Sequence, residues 1–141
     1  MLDLELFFHI FNNHFSNIAL GKNKIAVVED EGIVAMDISK CLSSLGYEVV
    51  FVSDSGEKTL DKLENTKVDL ILMDVVLKGS INGLETARIV KERYNIPVIF
   101  LTAFEDEPTL LKIGELSSGG YLIKPFEDEE LKNTIEKILK D

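Results

Sequence analysis

Five short apolar runs separated by helical stretches predict a doubly wound α/β sandwich, a five-stranded parallel sheet with five helices on its two faces. The runs are nearly continuous and rich in β-branched residues, as strands buried on both faces are. The stretches between them place apolar residues three and four apart, the spacing of one helix face. The length of 141 residues fits one domain with a real core and leaves little room for a second.

The elements follow an N-terminal extension. In MLDLELFFHIFNNHFSNIALGKNK, residues Leu4, Phe7, Phe8, Phe11, Phe15 and Ile18 form a stripe. Residues 1–23 are therefore expected as an amphipathic helix ahead of the domain, the alternatives being the tail of an upstream element or a poorly ordered extension. Asp3, Glu5, His9, Asn12, Asn13 and His14 interrupt the stripe, which excludes a membrane span, and no basic region marks a signal peptide. His9 and His14 are five apart, share no helix face and have no third ligand near them, so a metal site there is not expected. Gly21-Lys22-Asn23 reads as a linker, and the domain as residues 24–141.

The strands are expected at Ile25-Ala26-Val27-Val28, Val49-Val50-Phe51-Val52, Leu70-Ile71-Leu72-Met73, Val98-Ile99-Phe100-Leu101 and Tyr121-Leu122-Ile123. Val34, Ile38, Cys41, Leu42 and Leu45 mark the first helix, which Gly46 closes as a residue just past the C-cap. Asp54-Ser55-Gly56-Glu57 reads as a capping box opening the second, with Leu60 and Leu63 on its face. Leu84, Ala87, Val90 and Tyr94 mark a third helix, closed before Pro97. Leu110, Leu111 and Ile113 mark a weaker fourth, and Leu131, Ile135, Ile138 and Leu139 a fifth.

Hydrophobic residues make up 45% and charged residues 28%, a folded rather than a disordered balance. The formal net charge of −10 argues against nucleic acid, which wants a basic face, and against anionic membranes. The single cysteine, Cys41, permits no internal disulfide, fits a reducing cytoplasmic compartment and reads as a small hydrophobe on the first helix.

In doubly wound sheets ligands bind at the carboxyl ends of the strands, where strand order switches. Glu29-Asp30-Glu31 follow the first run, Asp74 the third, Thr102 and Ala103 the fourth, and Lys124-Pro125 the fifth. In a 2-1-3-4-5 sheet Glu29, Asp30 and Asp74 converge, and three carboxylates together repel unless a cation is present. A few hard oxygen ligands suit Mg²⁺. The Lys124 ammonium and Thr102 hydroxyl then offer a charge and a hydrogen bond to an anion. Each residue also has a structural reading. Asp30 or Glu31 can cap a helix, Asp74 can sit in a loop, Thr102 can be a turn hydroxyl, and Lys124 a solvated charge. Four such residues at the ends of parallel strands favour a site.

AVVEDE, LILMD, VIFLTA and GYLIKPF resemble, in that order, the motifs of the response-regulator receiver domain of two-component phosphorelays, over residues 24 to about 139. The resemblance implies a flavodoxin-like fold and names Asp74 as phosphoacceptor for the phosphohistidine of a sensor histidine kinase or phosphotransfer protein. It implies Mg²⁺ held by Glu29, Asp30, Asp74 and the backbone carbonyl of Val76, with Lys124 and Thr102 on the phosphoryl oxygens. Tyr121 would be the switch partner of Thr102, its other reading being an edge-strand aromatic packed on a helix. The resemblance further implies a cis Lys124–Pro125 bond and a switching surface of fourth helix, fifth strand and fifth helix. The protein would turn over only its own phosphorylation and dephosphorylation, pass its signal to a separate downstream protein with no attached output domain, and either form a phosphorylation-linked homodimer or not.

The chain departs from the family pattern at two places. After Asp74, Lys78 and Gly79 stand where proline is usual, Asn82-Gly83 replaces Asp-Gly, and the loop is slightly longer. Gly119 and Gly120 enter the fifth strand where alanine is usual, which suggests a looser switch surface. Val76 and Phe104 offer no polar group to orient water, so a long-lived aspartyl phosphate is expected. The competing readings are a flavin-binding module on the same fold and a degenerate receiver acting only as an interaction domain. The first lacks the glycine-rich phosphate cradle, and the second conflicts with the intact Asp30, Asp74, Thr102 and Lys124.

Overall fold

The computed structural model describes residues 3–6, 22–103, 106–116 and 119–139. Of the N-terminal extension, residues 4–6 are helical, with the Glu5 and Leu6 amides donating to Asp3 Oδ1 at 3.0 and 3.4 Å. The rest of its expected stripe, from Phe7 to Ile18, lies outside the described residues.

The chain then alternates as β1 Lys24–Val28, α1 Gly32–Ser44, β2 Glu48–Ser53, α2 Gly56–Leu63 and β3 Leu70–Asp74. It continues as α3 Gly83–Arg93, β4 Val98–Thr102, α4 Glu107–Leu116, β5 Tyr121–Ile123 and α5 Asp128–Leu139. The five strands form one sheet in the order β2-β1-β3-β4-β5, every pairing parallel. The class, strand number and strand order are those expected of the sequence.

Alternation along each strand divides the apolar residues between two cores. Ile25, Val27, Leu70, Leu72, Ile99 and Leu101 face Ala35, Ile38 and Leu42 of α1 and Leu131 and Ile135 of α5. Ala26, Val28, Ile71, Met73 and Phe100 face Leu63 of α2, Ala87 and Val90 of α3 and Ile113 of α4. Strands β3 and β4 are buried along their whole length, which is why their sequences read as unbroken apolar runs. The edge strand β2 is only partly buried. In α4 the stripe differs from expectation: Ile113 is buried, whereas Leu111 is 61% exposed.

Local chemistry sets the helix ends. At the end of α1 the Gly46 amide donates to the Ser43 carbonyl and the Tyr47 amide to the Leu42 carbonyl, a Schellman closure. Ser55 caps α2 by accepting from the Lys58 amide at 3.2 Å. Glu57 is not its capping-box partner; its carboxylate accepts from the Ser80 and Ile81 amides at 2.8 and 3.0 Å, across the molecule in the β3–α3 loop. Asn82 caps α3 through the Glu85 amide at 2.8 Å. Gly83 opens α3 directly against β3, where a Cβ would lie 1.9 Å from the Asp74 carbonyl oxygen.

Gly119 and Gly120 each have a positional reason to be glycine. A Cβ on Gly119 would meet the Val98 carbonyl oxygen at 2.6 Å, and Gly120 has φ +89°, a left-handed conformation. The Lys124–Pro125 bond is cis, as the sequence resemblance implied.

Candidate functional site

Parallel strands put all their carboxyl ends on one edge of the sheet, and the backbone ladder continues one residue past three of them. The Glu29 amide donates to the Ser53 carbonyl at 3.0 Å, Val75 to Leu101 at 3.0 Å, and Lys124 to Thr102 at 2.8 Å. The residues carrying the chemistry are therefore fixed by main-chain bonds before their side chains are considered.

Lys124, just past β5, sends its Nζ to Glu29 Oε1 at 2.5 Å and to Asp74 Oδ2 at 2.6 Å. The other Asp74 oxygen accepts from the Val76 amide at 2.9 Å, and Glu29 Oε2 accepts from the Glu31 amide at 3.3 Å. Glu29 is 2% exposed and Asp74 6% exposed, so two carboxylates share one ammonium in a water-poor place. Burial, followed by the neighbouring Asp74 carboxylate, pushes the Glu29 carboxyl up to about 7, against the pull of Lys124. Burial would lower the Lys124 ammonium, but Asp74 and Glu29 outweigh it and hold its pKa above the usual lysine value.

One carboxylate oxygen each from Glu29, Asp30 and Asp74 lies within 4.8 Å of the others. A single lysine cannot neutralise three such groups, and three hard oxygen donors clustered this closely fit a small divalent cation such as Mg²⁺. Neither helix-capping reading accounts for the acidic run: Glu31 occupies the N-cap of α1, yet its side chain makes no capping bond.

Above the cluster opens a cavity of about 400 Å³ whose walls include Asp30, Glu31, Asp74, Val76, Lys78 and Lys124. Val76, whose carbonyl was expected among the metal ligands, is 56% exposed at this opening. Thr102 ends β4, beside Asp74 on β3, and is 1% exposed. Tyr121 opens β5 opposite Phe100, two rungs from the Thr102–Ile123 pair, and is 44% exposed. Phe104 lies outside the described residues. Cys41 is half-buried, and burial followed by Asp128 pushes its thiol up to about 11, consistent with an unreactive packing residue.

Sequence reasoning missed two participants: Lys78, which lines the cavity, and Glu57, which holds the loop that carries it. A lysine in place of the usual proline was the only local signal. The contact with Glu57 spans 23 residues and left none. Among the described residues, no helix is long and apolar enough to cross a membrane.

The family model for the response regulator receiver domain matches residues 25–136. The transcriptional regulatory protein CrdR of Helicobacter pylori is 34% identical over 122 residues, 85% of this chain and 56% of that protein. CpxR of Escherichia coli, also a transcriptional regulatory protein, is 36% identical over 118 residues, 84% of this chain and 50% of that protein. The chain thus spans about half the length of these curated relatives. Among solved structures, the signal receiver domain of a modulated diguanylate cyclase from Desulfovibrio desulfuricans superposes with a TM-score of 0.77 at 34% identity, covering 83% of this chain and 94% of that one. The receiver domain of a Pseudomonas aeruginosa sensor histidine kinase superposes with a TM-score of 0.76 at 27% identity, covering 86% of this chain and all of that one. That domain carries a magnesium ion coordinated in its active-site cleft.

Proposed function

From the premise that this chain belongs to the response-regulator receiver family, we propose that it accepts a phosphoryl group on Asp74 from a phosphohistidine of a sensor kinase or phosphotransfer protein. The observation that carries the reading is the Lys124 ammonium bridging Asp74 and Glu29 at the floor of an open acidic cavity.

An Asp74 oxygen forms the new bond to phosphorus as the P–N bond to the donor imidazole breaks. The electron pair leaves with the imidazole. The Val76 amide holds the second Asp74 oxygen, so the nucleophile enters already oriented. Lys124 exchanges part of its pairing with Asp74 for the incoming phosphoryl oxygens, and the Thr102 hydroxyl donates to the same oxygens. Glu29, Asp30 and Asp74, with the Val76 carbonyl, would hold Mg²⁺, which when bound neutralises charge between carboxylate and phosphoryl group. The protein turns over only its own phosphorylation and dephosphorylation.

Drawing Thr102 towards the phosphoryl group vacates space that Tyr121, now 44% exposed, turns inward to fill. That rearrangement alters the face formed by α4, β5 and α5, which a downstream partner or a second copy reads.

Labelling with a phosphodonor in Mg²⁺ buffer, followed by intact mass, tests the assignment. Wild type should gain one phosphoryl group and Asp74→Asn none. Equal labelling of the two proteins would place the acceptor elsewhere.

A further inference from the structure

The cavity above Asp74 has an electrostatic problem. Asp30, Glu31 and Asp74 line it, Glu29 lies behind, and the chain carries a formal net charge of −10. An incoming phosphodonor is itself an anion. Of the two lysines lining the cavity, Lys124 is already tied to Glu29 and Asp74. Lys78 is exposed and makes no salt bridge among the described residues, although its charge joins that of Lys58 in holding the Asp54 carboxyl below its ordinary value.

The loop that presents Lys78 is held from outside. The Glu57 carboxylate, from the first turn of α2, accepts from the Ser80 and Ile81 amides at 2.8 and 3.0 Å. It lies so close over Gly79 that a Cβ there would meet Glu57 Oε2 at 2.5 Å. On the amino side, Lys78 forms an isolated parallel bridge with Ser55, the N-cap of α2. Lys78 is thus gripped on both sides by the start of α2, at the rim of the cavity. A charged side chain on a pinned loop meets a ligand in a defined place at little ordering cost.

We propose that Lys78 is a donor-selecting residue that draws anionic phosphodonors into the Asp74 cavity, and that Glu57 is the positioning residue that holds it there. The proposal rests on Asp74 being the phosphoacceptor. Lys78 acts before chemistry, by offsetting the field of Asp30 and Glu31 along the approach path, so its effect belongs to donor capture and grows with donor charge.

Two small donors test this through the same acceptor. With acetyl phosphate, the Asp74 oxygen bonds phosphorus while the P–O bond to acetate breaks and acetate leaves with the electron pair. With phosphoramidate the P–N bond breaks and ammonia leaves, taking up a proton. Acetyl phosphate is a dianion near neutral pH and phosphoramidate a monoanion. In low-salt Mg²⁺ buffer, Lys78→Gln should slow labelling by acetyl phosphate about threefold to tenfold, the low end of electrostatic steering. Phosphoramidate labelling should slow less, and high salt should close most of the gap. Lys78→Arg should restore the rate. Glu57→Ala also removes a negative charge beside the approach path, so its loss should be smaller than that of Lys78→Gln, and the double variant should be no slower than Lys78→Gln, because both act through one charge.

Unchanged acetyl phosphate labelling in Lys78→Gln at low salt would overturn the inference, as would equal slowing with both donors at every salt concentration. These outcomes leave Asp74 standing as acceptor. Label that persists in Asp74→Asn would instead remove the reading beneath the inference, and the inference with it. Lys78 is exposed on a loop, so its variants keep the test open should Glu57→Ala melt early.

Discussion

Gly83→Ala is the sharpest perturbation of the scaffold under the acidic site. The added Cβ would sit 1.9 Å from the Asp74 carbonyl oxygen, 2.9 Å from its carbonyl carbon and 3.0 Å from the Val75 Cα, whereas ordinary contact begins near 3.4 Å. All three atoms are main chain, so no side chain can rotate away. Relief requires α3 to lift from β3 or the end of β3 to shift. Overpacking of this kind costs about 1–3 kcal/mol, and a backbone-only clash belongs at the upper end. Separation also stretches the bond from the Gly83 amide to the Val75 carbonyl, now 3.0 Å, for about 1 kcal/mol more. The sum, about 3–4 kcal/mol, is a large share of a stability of about 5–15 kcal/mol. For a chain of this size it corresponds to a fall in melting temperature of roughly 6–15 °C. Gly32→Ala is the matched control, since Gly32 opens α1 and nothing lies within 4 Å of its added Cβ. It should stabilise by about 0.4–1 kcal/mol through the unfolded chain. Urea and thermal unfolding of both variants decide the matter. A Gly83→Ala protein as stable as Gly32→Ala would show that the contact between α3 and β3 is not the constraint described.

Other outcomes follow from the same geometry. Glu29 keeps its proton in the folded protein up to about pH 7 but releases it near 4.5 in the unfolded chain. Between those values the folded state binds more protons, so this group's contribution to metal-free stability declines as pH rises from 4.5 to 7. Mg²⁺ needs the carboxylate, so its affinity should fall about tenfold per pH unit below 7, with proton release visible by calorimetry in buffers of different ionisation enthalpy. An affinity flat from pH 8 to pH 6 would show either that the Glu29 carboxyl is not raised to about 7 or that it is no ligand, and Glu29→Gln separates the two by its effect on Mg²⁺ affinity at pH 8. At the start of α3, Asn82→Ala should cost about 1 kcal/mol in urea unfolding, whereas Asn82→Asp should stay within about 0.5 kcal/mol of wild type because either oxygen caps. A costly aspartate there would mean that Asn82 does more than accept from Glu85.

The sequence made the strands legible because β3 and β4 have no solvent face to interrupt their apolar runs. It made the acidic edge legible for a related reason: a parallel sheet converts serial positions after strands into neighbours in space. Contacts without local periodicity escaped it. Glu57 was read through its nearest neighbours as part of a capping box, while its carboxylate also accepts from amides 23 and 24 residues away. The positional needs of Gly119 and Gly120 also escaped it, because composition does not reveal the approach of the Val98 carbonyl or a left-handed φ. Leu111 fits the apolar spacing of α4 but lies on its exposed side, since three residues define a helix face poorly. The pairing of Lys124 with Glu29, 95 residues apart, follows from strand order together with side-chain reach, and only strand order could be deduced.

The rungs that outlast the strands, from Glu29 to Ser53, Val75 to Leu101 and Lys124 to Thr102, bear on how this molecule breathes. They tie the acidic edge into the ladder of the sheet, so its main chain should open only together with the strands that hold it. Amide hydrogens at Glu29, Val75 and Lys124 should therefore exchange on the timescale of global unfolding, slower than those of the surrounding loops. An edge held in this way has little conformational freedom to donate to a signal. What changes when the site is occupied must then be carried by side chains and connecting segments, against a backdrop that keeps still.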